Sequence, residues 1–257
     1  MIYIEDSNYQ VFKQLATVIA YELKTNGIDC KITSDASLND GTWILFFSAF
    51  YTGTNDVPLY KRLTAPYIAI QTENINQSVI INNQKDAYDI FLKNAKYVWD
   101  YVTNFKLGFS KIYQIEFEET KDIDVLFYGW VNERRRHILS QIPNVTIIEG
   151  GKDAYMPNLW NYIRRSKIVL IINFYDPSNP DPIRVTQLLS CKTFIIAEKT
   201  KYADYDKNTE FILADYEKIP KLCEYYLKTP AERVDWIERG HAYIKNNPIY
   251  FPNILNK

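Results

Sequence analysis

Cysteine and histidine are scarce in this chain: three and two, respectively, among 257 residues. Cys30, Cys191 and Cys223 are far apart and odd in number, which suits a reducing, cytoplasmic setting better than a disulfide framework. They form no close cluster with His137 and His241, so no structural zinc site is expected. Glycine is also sparse, at eight residues. The first candidate turn, Glu5-Asp-Ser-Asn8, lacks the G-x-G-x-x-G spacing that a dinucleotide pyrophosphate needs. No apolar run approaches the ~20 residues of a membrane span. The start, Met1-Ile-Tyr-Ile-Glu-Asp, lacks the basic and apolar regions of a signal peptide and reads as a first strand. Neither charge sign dominates: 30 basic residues face 31 acidic ones, for a net charge of -1. There is thus no global attraction for nucleic acid or an anionic membrane.

What the chain has is apolar and aromatic mass. Hydrophobic residues make up 47% and aromatics 15%, with tyrosine leading at 21, enough for a packed core and against disorder. The length suits one large domain or two α/β domains. Strand and helix signals alternate. Tyr9 to Lys24 carries Phe12, Leu15, Val18, Ile19 and Leu23 at helical spacing and stops at Asn26-Gly27. Strands are predicted at Ile2–Ile4, Asp29–Thr33, Trp43–Phe47 and Pro66–Gln71, followed by a helix over Asp86–Tyr101 with Ile90, Ala95 and Val98 toward a core. The polar run Glu118 to Asp122 marks a domain boundary, giving domains of about 1–120 and 121–257, the first reduced in size. In the second half, strands at Val145–Ile148, Lys167–Asn173, Thr193–Ala197 and Phe211–Leu213 alternate with helices, and Tyr216–Lys228 and Ala231–Asn246 form a terminal helix pair. Two successive β/α halves imply an α/β protein of two Rossmann-like domains facing across a cleft.

The segment Asp122 to Leu139 is the most informative. Val125-Leu-Phe-Tyr128 is a short apolar run, as a parallel strand buried on both faces requires. Gly129 permits a sharp turn, and a helix opening with Arg134, Arg135 and Arg136 follows. A helix start above a sheet edge presents free N–H groups and suits an anion such as phosphate. The three arginines fall on different helix faces, so they cannot all meet one ligand, and solvated surface accounts for one or two of them.

Three blocks in order carry a resemblance to glycosyltransferases of the two-Rossmann-domain GT-B type, within the family 1-like group that has a DVLFYG-x-x-N-x-RR segment. The first is Tyr67-Ile-Ala-Ile-Gln-Thr-Glu-Asn74 with Lys96-Tyr-Val-Trp-Asp-Tyr101, similar to that group's "YQxEQ … VWDYS" stretch. The second is Asp124 to Arg136. The third, Ile168 to Glu198, is similar to its "IVLNxHYY … RxxEALAxG" region and is followed by the helix pair from Tyr216 to Asn246. The resemblance covers roughly the last two thirds of the chain. It implies transfer of a sugar from a nucleotide-diphosphate donor, a UDP- or GDP-sugar, to a glycan or other hydroxyl acceptor. The donor would be held by the second domain, with no metal and no separate cofactor.

Carried over residue by residue, the resemblance assigns Arg184 to the leaving diphosphate. Gln187, one turn on, stands where the group has a ribose-binding Glu, and Cys191-Lys192 replaces a small-Gly pair. Gly129, Asn132 and Arg134 would shape the donor site, with Asn173, Tyr175 and Glu198 at strand ends near the sugar. Asp6 and Glu73 are the candidate bases for an acceptor hydroxyl. Each has a plainer explanation: a surface ion pair for Arg184, a structural turn for Gly129, solvated acids for Asp6, Glu73 and Glu198. The Asp204-Tyr-Asp206 triplet lies too late in the chain for the diphosphate motif it mimics. No Ser or Cys nucleophile motif accompanies the histidines. Two other readings stand beside the transferase: an inactive homologue that binds a nucleotide-sugar or a protein partner, suggested by Gln187 and Lys192, and a different α/β nucleotide-binding protein.

Overall fold

The computed structural model describes residues 1–7, 10–46, 58–71, 85–100, 105–114, 121–174, 181–199, 210–252 and 254. Glu73, Tyr175 and the Asp204–Asp206 triplet, expected above as site or motif residues, lie outside the described residues. The chain divides into two compact units, Met1–Lys106 with Tyr250–Lys257, and Leu107–Ile249. The end of the chain belongs with the first unit. There the buried Trp99 indole N–H donates to the Pro252 carbonyl at 3.1 Å, and its ring lies 5.8 Å from that of Phe251.

In the first unit the order is β1 (Ile2–Glu5), α1 (Gln10–Thr25), β2 (Cys30–Thr33), β3 (Thr42–Phe46), α2 (Leu59–Arg62), β4 (Tyr67–Gln71), α3 (Lys85–Lys93) and β5 (Tyr97–Asp100). The five strands pair in parallel in the order β2-β1-β3-β4-β5. Residues of β3 and β4 are buried on both faces, as the apolar runs required. On one face Tyr3, Trp43, Leu45, Tyr67, Tyr88 and Phe91 form a core. α1 ends where Gly27 takes φ +76, letting the Ile28 N–H reach the Leu23 carbonyl at 2.9 Å and the Gly27 N–H that of Lys24 at 3.0 Å.

One expectation fails here. The helix predicted over Asp86–Tyr101 stops at Lys93, and Tyr97–Asp100 is an edge strand beside β4. Ile90, placed in the core from its spacing, is 46% exposed. The Lys96 N–H donates to the Tyr67 carbonyl at 2.8 Å, drawing the chain back to the sheet. The run Tyr97-Val-Trp99 then has the β-branched and aromatic composition of a strand.

The second unit runs β6 (Ile123–Tyr128), α4 (Glu133–Leu139), β7 (Val145–Ile148), α5 (Asn158–Arg165), β8 (Ser166–Ile171), α6 (Pro182–Ser190), β9 (Ile195–Glu198), β10 (Ile212–Ala214), α7 (Ile219–Lys228) and α8 (Pro230–Lys245). Its strands are parallel in the order β10-β9-β8-β6-β7. Lys111–Tyr113 is a single 3-10 turn. Strand alternation sends Val125, Phe127, Ile168 and Leu170 to one face, against Ile138 and Leu139 of α4 and Cys223 and Tyr226 of α7. Burying each such side chain contributes about 1.5–3 kcal/mol. All three cysteines are free and buried. At the N-terminal end of β6, the Lys121 ammonium donates to the Ser166 carbonyl at 2.8 Å, and burial, with Arg233 nearby, lowers its pKa to about 8. Because the strands are parallel, the C-terminal ends of β6, β8 and β9 meet at the opposite edge, where ligands of open α/β sheets bind.

Candidate functional site

The described candidate residues of the second unit, Gly129, Asn132, Arg134, Asn173, Arg184, Gln187 and Glu198, lie on the segments that run to that edge. β6 ends at Tyr128, and Gly129 turns the chain with φ +126, its N–H donating to the Ile148 carbonyl at 3.0 Å. This conformation disfavours any side chain, and the space is also taken. A Cβ at Gly129 would lie 3.3 Å from an Arg184 guanidinium nitrogen and 3.7 Å from one of Arg135. The glycine therefore lets two cations approach the end of β6.

Arg184 stands in the first turn of α6. Asp181 caps that helix by accepting the Arg184 N–H at 3.0 Å, and its other oxygen lies 3.3 Å from Arg184 Nε. The guanidinium donates to the Tyr128 carbonyl at 3.1 Å and lies 4.6 Å over the Tyr128 ring. It is thus held at the sheet edge, as the sequence expectation required, with 17% of its side chain exposed. Burial pushes the Tyr128 phenol pKa well up. Gln187, expected on the same face as Arg184, is only 4% exposed, and its Nε2 has no hydrogen-bond partner among the described residues. Cys191, at the end of α6, donates its thiol to the Tyr113 carbonyl at 2.8 Å, and burial pushes that thiol up to about 12. Lys192 takes a left-handed φ of +50 and pairs with Glu238 at 2.9 Å. That backbone costs a non-glycine residue about 1–2 kcal/mol, a physical reason for glycine to be favoured there.

The arginine triplet separates as helical geometry demands, with one of the three, Arg136, on the solvated surface. Asn132 caps α4 by accepting the Arg135 N–H at 2.9 Å, and its amide donates to the Phe174 carbonyl at 2.7 Å. Arg134 stacks 4.1 Å from the Tyr216 ring centre, while the Tyr216 hydroxyl donates to the Arg134 carbonyl at 2.5 Å. Its guanidinium donates to the Asn173 carbonyl at 3.1 Å and forms a two-pronged pair with Glu198, one contact at 2.9 Å. Glu198, 5% exposed, also accepts the Asn173 N–H at 2.9 Å. The solvated-acid explanation of Glu198 is thereby excluded. Arg136 is exposed.

Arg135, which the sequence did not single out within the triplet, is 7% exposed. Its Nε and one terminal nitrogen donate to the Ile172 carbonyl at 3.0 and 2.5 Å, and the other terminal nitrogen donates to the Trp130 carbonyl at 2.7 Å. Phe127 and Phe174 lie 5.3 and 5.1 Å from the guanidinium. Burial, then the charge of Arg184, lowers its pKa to about 10. A signal was present: Arg135 shares the helical face of Ile138, Leu139 and Ile142, all buried. Tyr216 was missed because its partner lies 82 positions away.

In the first unit, Asp6 is exposed, with Lys13 at 3.5 Å. The buried acid at that sheet's C-terminal edge is its neighbour Glu5, 4% exposed, which accepts the Phe46 N–H at 2.9 Å.

Residues 117–250, just over half of the chain, match the family described as Glycosyl transferase-like, and the chain belongs to that family. Its architecture is that of GT-B glycosyltransferases. Among solved structures, HepE of Anabaena in complex with UDP-glucose is similar at 11% identity over 95% of this chain and 94% of that one, with a TM-score of 0.55. A glycosyltransferase of Rickettsia africae is similar at 9% identity over 96% and 93%, with a TM-score of 0.50. TarM is similar at 12% identity and a TM-score of 0.46 over 89% of this chain, which spans about half of TarM, 54%. No curated protein matches the chain in sequence.

Proposed function

We propose that this protein is a metal-independent glycosyltransferase that moves a sugar from a nucleotide-diphosphate donor to a hydroxyl group of a glycan or similar acceptor. The observation that carries the reading is the pair of guanidinium groups of Arg184 and Arg135 against Gly129 at the end of β6. Two cations this close, with Asp181 the carboxylate beside Arg184, favour an added anion. In the reaction the acceptor oxygen bonds to the anomeric carbon as the bond from that carbon to the diphosphate oxygen breaks. Arg184 would stabilise the charge growing on the leaving diphosphate. Gly129 keeps the approach open, and Asn132 fixes the start of α4. Arg134 holds Glu198 and Asn173 in place beside the sugar, while Gln187 offers an amide to the ribose. The acceptor proton needs a base, and Asp6 and Glu73 are the candidates for it. The UDP-glucose bound by HepE makes a UDP-sugar the first donor to try, with GDP-sugars the second.

The inactive, donor-binding homologue is the alternative, and the buried Gln187 with its unpartnered amide nitrogen favours it. A thermal-shift screen of UDP-, GDP-, TDP- and CMP-sugars, followed by assays of donor hydrolysis and transfer, separates the two. The transferase shows stabilisation and turnover, and the inactive homologue stabilisation alone. Stabilisation by no donor would rule out both.

A further inference from the structure

Trp130 is the most exposed large hydrophobic residue among those described, at 68%, and it follows Gly129 directly. Its surroundings are not those of a loose surface side chain. Arg135 grips its carbonyl at 2.7 Å, and the next N–H, of Val131, donates to the Glu149 carboxylate at 2.9 Å. One edge of the indole rests on the following loop, 3.8 Å from where a Gly150 Cβ would stand. Gly150 and Gly151 both take left-handed φ values, +66 and +67, and leave bare backbone beside the ring. Fixing a large aromatic in water gives up apolar burial without return, unless its open face has an occupant.

The placement of the polar groups says which occupant. Asn173 follows β8, Glu198 ends β9, and Gln187 lies on α6, the helix between those two strands. Those side chains suit hydroxyl groups. Trp130 instead faces the loop after β7, the other neighbour of β6, where it offers a flat π surface next to unobstructed peptide groups. We infer that Trp130 is the stacking platform for the heterocyclic base of the nucleoside diphosphate whose phosphates meet Arg184. The indole supplies affinity common to all bases, and the backbone at Gly150 and Gly151 meets the base's edge. This rests on the donor-binding reading above but makes a separate claim, since the phosphate clamp works without it.

The test is calorimetry on the full chain with UDP, GDP and inorganic pyrophosphate, in wild type, Trp130→Ala and Trp130→Phe, with melting temperature as a folding control. Stacking on an aromatic ring sets the expected loss at about tenfold in UDP and GDP affinity for Trp130→Ala. Pyrophosphate affinity should stay unchanged, and Trp130→Phe should stay within about twofold of wild type. UDP should also quench indole emission in wild type and lose most of that quench in Trp130→Phe. Equal UDP affinity in wild type and Trp130→Ala would overturn the platform, as would an equal loss for pyrophosphate. A wild-type chain that binds pyrophosphate as tightly as UDP overturns the platform alone. One that binds none of the three overturns the donor site and the platform together.

Discussion

Each of the two sheets buries a glutamate at its C-terminal edge, and each glutamate accepts an N–H from the end of a neighbouring strand. In the first sheet Glu5 binds the Phe46 N–H, and in the second Glu198 binds that of Asn173. The settings diverge from there. Around Glu198 the edge is built with arginines: Arg134 is on the carboxylate, and Arg135 and Arg184 crowd Gly129. At the first edge the residue after Glu5 is another acid, Asp6, with Lys13 at 3.5 Å. A net charge of -1 therefore conceals a concentrated cationic edge in one unit. Overall charge excludes a broad polyanion surface but says nothing about a site for one diphosphate.

The largest effect expected from breaking this contrast is at Arg135. Replacing it with Ala orphans two carbonyls and removes a buried platform between Phe127 and Phe174, at about 3 kcal/mol by the cost of unsatisfied buried groups. Hydrogen exchange should show lost protection in β6 and β8, with β1 to β4 unchanged. Equal loss in both sheets would mean the second edge is not specially built. Next is Arg184→Ala, which keeps the capped helix but removes a charge-assisted contact, lowering UDP or UDP-sugar affinity by about 30-fold. Titration calorimetry reads this, and unchanged affinity would remove Arg184 from the donor site.

The paired substitutions Glu198→Gln and Glu5→Gln sharpen the comparison directly. Each keeps an oxygen for the backbone N–H, but only the first strips Arg134 of its counter-charge. Urea denaturation should show about 2 kcal/mol lost for Glu198→Gln and about 1 kcal/mol for Glu5→Gln. Reversal of that order would show that the Arg134 pair does not set the second edge apart. A separate test concerns the far end of β6. Lys121 is lowered to about 8 in the folded protein from 10.5. The unfolded chain therefore holds more protons between those values, and stability rises with pH across that window. Lys121→Met should flatten the rise, as measured by denaturation at pH 7, 8.5 and 10.

Much of this was legible in the chain. The strands Val125–Tyr128 and Lys167–Asn173 announced themselves as unbroken apolar runs, and Gly129 and Arg184 fell where a parallel sheet gathers its ligands. The rest was hidden for identifiable reasons. The strand Tyr97–Asp100 followed a helix so closely that Ala95 and Val98 kept helical spacing with Tyr88 and Phe91. Arg135 looked like surface because charge usually means solvent, although its helical face was apolar three, four and seven residues on. Glu5 read as the start of a turn because nothing local reveals that a carboxylate will reach a neighbouring strand 41 positions away.

Arg134 meets Glu198 across 64 positions and Tyr216 across 82. During synthesis the chain emerges from its N-terminus at roughly 5–20 residues per second, so several seconds separate the arginine from its last partner. Over that interval α4 can form with its Asn132 cap, but the arginine stands in water and the Asn173 loop is untethered. A ribosome-stalled chain cut before Glu198 would carry the whole Asp122–Leu139 motif and none of the finished edge. The site is completed late, by residues with no motif of their own, and truncation should abolish it well before it unfolds β6.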